Sequence, residues 1–257
     1  FSEEGVEKIS NGSFTNGSTG WSLGTGWSIG EDKAISDGVS SNSNLVTLSA
    51  FYSGSLSVKM TINVTDYVSG GLKIYLSSTN FTEITANGDY TFYTTADRTD
   101  GKMYLKSVNF NGSITNISVK EVGQNWSVLS ATITDVGNLN GTGVTSMLYQ
   151  DILTNGNTYT ATFTVSNYNG IGNADIINTS GVPIYVINSN GTFTITFTHT
   201  DASGTIFWRA RNSAIFSITN ISVIEITTDT SLPRINYEGF SYQDVLGSEL
   251  VLNGGFT

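Results

Sequence analysis

The chain of 257 residues has no cysteine, two prolines, a single histidine and only 12 % charged residues. Each shortage excludes something. Without cysteine there is no disulfide framework, no thiolate nucleophile and no cysteine-bound metal. The lone His199 has no second histidine or cysteine to share a metal with. Eleven Lys and Arg stand against 21 Asp and Glu, a net charge of −10. That balance lacks the clustered cations that nucleic acid requires, and it disfavours docking on anionic lipid. No apolar run approaches the roughly 20 residues of a membrane helix, so membrane insertion is not expected. No Gly-X-Ser-X-Gly elbow or phosphate-cradling loop is present. No pair of acids recurs in a motif that would serve a glycosidase. These absences point away from an enzyme.

What is present is Thr, Ser, Asn and Gly. Thr158-Tyr-Thr-Ala-Thr-Phe-Thr-Val165 alternates with period 2 over eight residues, the signal of a strand with one buried face. Asn-Gly pairs at Asn11, Asn16, Asn87, Asn111, Asn155 and Asn190 predict turns. No window reads as an amphipathic helix; Thr145–Thr154 is the nearest. The fold class is therefore all-β, built of antiparallel sheets.

The chain also repeats itself. Ile114-Thr-Asn-Ile-Ser-Val119 returns as Ile218-Thr-Asn-Ile-Ser-Val223, a shift of 104 residues (220 − 116). A period near 100 residues is the size of a whole β-sandwich. Asn87-Gly88 matches Asn190-Gly191, Met103–Lys106 matches Ile206–Arg209, and Trp27-Ser28-Ile29 is paired with Trp126-Ser127-Val128. The boundaries expected are 1–122 for a first sandwich module and 123–227 for a second. A linker follows at 228–248, and 249–257 is the opening strand of a third module, because Glu249–Phe256 mirrors Glu7–Phe14. The chain reads as a segment of a longer protein. Apolar parity slips by one between Ile114 and Ile117, and again between Ile218 and Ile221, which predicts bulges at Asn116 and Asn220. The expected core includes Trp27, Tyr90, Phe92, Ile117, Val119, Phe163, Val165, Phe193, Ile195, Phe197, Ile221 and Val223, with Trp126 in the place of Trp27.

Asn11-Gly-Ser-Phe14, Gly20-Trp21, Gly26-Trp27-Ser28-Ile29 and a closing Ile-Thr-Asn-Ile-Ser-Val strand resemble a carbohydrate-binding-module jelly roll. Leu232-Pro-Arg-Ile-Asn-Tyr237 resembles a signature found beside such jelly rolls in tailed-bacteriophage tail-fibre and virion appendage proteins. The resemblance implies tandem jelly rolls in a phage virion structural protein that touches host surface glycans. It implies other virion proteins as partners, a homo-oligomeric assembly and an extracellular, virion location. Two alternatives stay open. One is a carbohydrate-binding array of a secreted bacterial polysaccharide-degrading enzyme, and the other is a bacterial surface adhesin. No cofactor is expected. A structural calcium, which many such modules hold, would find neutral Asn116 and Asn220 where the family has Asp, and so would bind weakly.

The repeat nominates a ligand face. Tyr104 and Lys106 sit two apart on a strand and share a face; Phe207 and Arg209 repeat the pair, and Arg211 continues the row. An aromatic plate beside a cation suits a sugar, whose C–H faces stack on rings while its hydroxyls or carboxylates accept from the cation. Tyr149 and Gln150 form a second groove candidate. Trp21 and Trp27 are core residues before they are platforms. Asp97, Asp100 and Asp201 offer loop oxygens for a cation, at no recognised spacing. If the face is solvated, replacing Phe207 and Arg209 by alanine leaves stability nearly unchanged. Eleven Asn-X-Ser/Thr triplets follow from composition. Two of them, at Asn116 and Asn220, lie inside strands, a poor place for a glycan, so a bacterial or viral source is expected.

Overall fold

A computed structural model describes residues 4–39, 41–77, 83–227 and 245–251, with 245–249 in backbone only. Every regular element among the described residues is a strand, and no helix there is long and apolar enough to cross a membrane. The chain forms two compact units, Glu4–Val122 and Gly123 onward. We call them the first and second modules.

The first module contains β1 (Trp21–Leu23), β2 (Trp27–Gly30), β3 (Lys33–Asp37), β4 (Asn44–Thr47), β5 (Leu56–Tyr75), β6 (Gly88–Ala96) and β7 (Tyr104–Glu121). β5 and β7 are long enough to serve two layers. Leu56–Val64 of β5 pairs with β6, and the far half of β7 pairs with β5 and β3. Leu72–Tyr75 pairs with the near half of β7, which also pairs with β4 and, through it, β1. In the second module the same plan is cut into shorter pieces: β8 (Ser127–Leu129), β9 (Ala131–Ile133), β10 (Gly137–Asn140), β11 (Ser146–Asp151), β12 (Thr158–Ser166), β13 (Asn173–Ile177), β14 (Pro183–Ile187), β15 (Gly191–Thr198), β16 (Thr205–Arg211) and β17 (Ile215–Thr227). One sheet runs β15-β12-β17-β10-β9 and the other β14-β13-β16-β11-β8. Both modules are antiparallel β-sandwiches of jelly-roll type. The stretch Thr145–Thr154 is mostly strand β11, not helix.

Period 2 decides what is buried. Along β12, Tyr159, Ala161, Phe163 and Val165 are almost wholly buried. The intervening threonines face out and pair across to β15 by hydroxyl contacts: Thr158–Thr198 and Thr164–Thr192 at 2.9 Å, Thr162–Thr194 at 3.1 Å and Thr160–Thr196 at 3.4 Å. Phe193, Ile195 and Phe197 point inward but are half-buried, as are Tyr90 and Phe92, because β15 and β6 are edge strands. The other expected core residues are buried.

Both parity slips are bulges. In the first module Asn63 faces Asn116 and Val64 faces Ile114, leaving Thr115 extra. In the second, Thr162 faces Ser222 and Thr164 faces Thr219, with Asn220 in the left-handed region at φ 51°. The Asn87 and Asn190 echo also has a cause. Each side-chain carbonyl accepts from a backbone amide 2.8 Å away, of Tyr67 and Tyr168 respectively. Asn111-Gly112, expected as a turn, instead lies within β7.

Strand pairing corrects the match of Trp126 to Trp27. Leu45 lies opposite Leu23 and Leu105; Leu148 lies opposite Val128 and Trp208. Two residues back along the chain from Leu23 and Val128 are Trp21 and Trp126, a shift of 105 (126 − 21). Trp27 lies opposite Ser36, which faces Gly112, and its counterpart is Ala131, opposite Leu139, which faces Phe216. The volumes compensate. Trp27 packs 6.2 Å from Phe110 beside Gly112, whose added Cβ would meet the Phe110 ring at 2.9 Å. The second module puts alanine at 131 and 214 and the large ring at 216. A large-for-small exchange keeps a core filled.

Candidate functional site

The near half of β7 and its counterpart β16 turn one side chain row to the interior and the next outward. In the first module Leu105 and Ser107 are buried, while Tyr104 and Lys106 face out. Tyr104 lies between Val46 of β4 and Tyr75 of β5, and Lys106 between Asn44 and Lys73. Tyr104 is clamped: its hydroxyl donates to Asp100 at 2.9 Å, and the Arg98 guanidinium lies 4.3 Å over its ring. Arg98 also donates twice to Asp100, at 3.2 and 3.0 Å. Those donations hold the Asp100 carboxyl at about 2, with the Arg98 bonds the largest cause. The Tyr104 hydroxyl is shifted up because its bond to Asp100 favours the protonated form. One ring face of Tyr104 is thus covered by a cation. Lys73 lies 3.7 Å from Glu83, whereas Lys106 has no ion pair among the described residues.

In the second module the same register brings Tyr149, Phe207, Arg209 and Arg211 to one face. Phe207 lies between Tyr149 and Ile177, with the Tyr149 and Phe207 rings 5.2 Å apart. Arg209 lies between Met147 and Asp175. It donates to both Asp175 oxygens at 2.8 Å, and both residues are buried. Arg209 is therefore buried rather than open to a sugar, and its removal is expected to destabilise the second module rather than leave it unchanged. Deleting one partner of a buried pair strands the other charge. Arg211, one row further, reaches Asp175 only at 3.8 Å, and its side chain is 40 % exposed. Its Nε atom is buried without a hydrogen-bond partner among the described residues. It lines an open cavity of about 540 Å³ with Gly141, Gly143, Val144, Thr145 and Asn212. Gly141 is needed there, since an added Cβ would fall 2.5 Å from the Arg211 amide nitrogen.

Gln150 does not join this face. It alternates with Tyr149 and points between the sheets opposite Ile206, 4 % exposed. Trp21 and Trp27 are buried, and neither is a surface platform. His199 is 1 % exposed, with Nε2 2.8 Å from the Ser203 carbonyl. Asp100 serves Arg98 and Tyr104, and Asp201 accepts from the Thr179 hydroxyl and from the Ser180 amide at 2.8 Å. Among the described residues no group of three or more His, Cys, Asp or Glu could hold a metal. Lys73, Tyr75 and Asp175 went unnoticed in the sequence. The alternation Leu72-Lys-Ile-Tyr75 does signal the first two, but only pairing shows which strand they face.

No family model matches the chain, and no curated protein sequence is significantly similar to it. Among solved structures it is similar to the N-terminal CBM22-1–CBM22-2 tandem domain of Paenibacillus barcinonensis Xyn10C, at 9 % identity and a TM-score of 0.35, over 86 % of this chain and 97 % of that one. It is similar to a triple jelly-roll protein of an archaeal virus turret at 13 % identity and a TM-score of 0.28, over 80 % of this chain and 59 % of that one. A chain of Sulfolobus Turreted Icosahedral Virus gives 16 % identity and a TM-score of 0.27, over 80 % and 60 %. The β-sandwich assignment stands on the strand pairing itself.

Proposed function

We propose that this chain is a non-catalytic, glycan-contacting segment of a phage virion appendage, in which each sandwich turns one saccharide-binding face outward. One observation carries the glycan reading. The same side of the same central strand bears an aromatic residue and an outward-facing cation in both modules: Tyr104 and Lys106 in the first, Phe207 and Arg211 in the second. A saccharide needs an apolar plate and a few aimed donors. In the first module Tyr75 and Tyr104 supply rings, and Lys106, Lys73 and Asn44 supply donors. In the second, Tyr149 and Phe207 supply the plate and Arg211 the donor, Arg209 being neutralised by Asp175. A guanidinium matches a carboxylate in shape. The second module's face thus suits an acidic sugar. The virion part of the reading is supported by the Leu232–Tyr237 signature, which lies outside the described residues.

A glycan array probed with the full chain tests the binding claim. Binding should concentrate on a narrow set of oligosaccharides. Lys106→Ala and Tyr149→Ala should each weaken it about tenfold or more, with thermal midpoints unchanged. Binding to no glycan, or binding indifferent to both substitutions, would overturn it. The virion claim is tested by the complete reading frame. Tail and capsid genes should flank it. A polysaccharide-degrading domain in the same frame would replace the claim with the secreted-enzyme alternative.

A further inference from the structure

The opening segment of the first module lies along the free edge of its own closing strand. Glu7 bridges Lys120, the Lys8 amide donates to the Val119 carbonyl at 2.9 Å, and the Gly5 amide to the Glu121 carbonyl at 2.9 Å. Ile9 then enters the core at 5 % exposure. The second module cannot copy this from its N-terminal side, because only residues 123–125 separate Val122 from Trp126, the counterpart of Trp21.

The place is nevertheless filled. A strand β18 (Val245–Glu249) runs antiparallel to β17; it begins in the stretch 228–248 expected to be linker and ends on Glu249, the first residue expected to belong to a third module. Glu249 lies opposite Ile224, the Leu250 amide donates to the Val223 carbonyl at 2.8 Å, and Val251 is buried at 4 % exposure. The acceptor strand is shifted by 104 (224 − 120 and 223 − 119), and the incoming segment by 242 (249 − 7, 250 − 8, 251 − 9). The sequence echo of Glu7–Phe14 in Glu249–Phe256 has the same 242 offset, although 252–256 lie outside the described residues. The strand also answers a need. β10 pairs with Ile215–Ile218 of β17, and β18 takes up the edge further along, beside half-buried Ile224 and Ile226. A bare apolar edge invites foreign strands.

We propose that Val245–Val251 is the opening strand of the second module itself, supplied from its C-terminal side, so that the second module is a circular permutation of the first. The edge of β17 is a socket for this segment of the same chain. The 17 residues 228–244 reach roughly 55–60 Å when extended, ample for the return.

The chain's lack of cysteine makes the test clean. Opposite residues flanked by the Leu250–Val223 bond form a non-hydrogen-bonded pair, with Cα atoms about 4.5 Å apart, within disulfide range. Ile224→Cys with Glu249→Cys in the full chain should oxidise to a bond within one chain, leaving a monomer on a non-reducing gel. Glu7→Cys with Lys120→Cys is the control in the first module. No cross-link where the control forms one would overturn the proposal. A cross-link between chains would overturn it too, giving the strand to a second copy. Val251→Asp should lower the second module's thermal midpoint as Ile9→Asp lowers the first module's; an unmoved midpoint for Val251→Asp would also count against it.

Discussion

At the scale of single residues, partners decide roles that residue types leave open. Arg209 has the spacing of a sugar contact, but Asp175 takes both ends of its guanidinium in a buried site. Arg209→Ala should therefore cost about 3–5 kcal/mol, while Arg209→Met with Asp175→Leu should be near neutral. Urea unfolding of the two variants checks this. Asp175 was not readable as the partner, since it lies 34 residues away and meets Arg209 only through the register of β13 on β16. Acid should act on other carboxylates. Hydrogen bonds from Lys120 and Lys59 hold Glu4 at about 2, and Asp100 is at about 2 for the reason given above. Both values are depressed, so the stabilisation is complete above the ordinary values of 4.5 and 3.8 and is lost as pH falls through about 2. Both carboxylates are partly exposed, so salt should shrink the effect. The stability of the first module should fall as pH drops from 4.5 to 2, and Glu4→Gln should flatten that slope.

At the scale of elements, alternation was the most legible signal. It gave the face of β12 without ambiguity, and the two parity slips located both bulges. It did not show that β6 and β15 are edges, where inward aromatics stay half-exposed, because edge position depends on the whole sheet. Nor did identity in short words give the right alignment. Trp126 matched Trp27 by its neighbours yet occupies the place of Trp21, since the core exchanged a tryptophan and a glycine for an alanine and a phenylalanine. β12 offers a contrast between its faces. Phe163→Ala should cost about 3–5 kcal/mol through lost burial and a cavity. Thr162→Ala on the other side should cost only about 0.2–1 kcal/mol, the worth of one cross-strand pair. Equal losses in denaturant unfolding would mean that the threonine face is not solvated.

At the scale of the whole molecule, one sandwich plan is carried out twice with a near-constant shift of 103 to 105 residues (148 − 45, 216 − 112, 126 − 21). The first module runs its two spanning strands without a break; the second cuts each into two at 167–172 and 212–214. Among the features the copies share outside the core is the outward row on β7 and β16. Amide resonances followed by NMR as an acidic oligosaccharide from the array is added would test that shared face directly. Shifts are expected at Lys73–Tyr75 and Tyr104–Lys106 in the first module, and at Met147–Tyr149 and Phe207–Arg211 in the second. Shifts confined to the threonine face of β12 and β15, or to loops away from both rows, would contradict it.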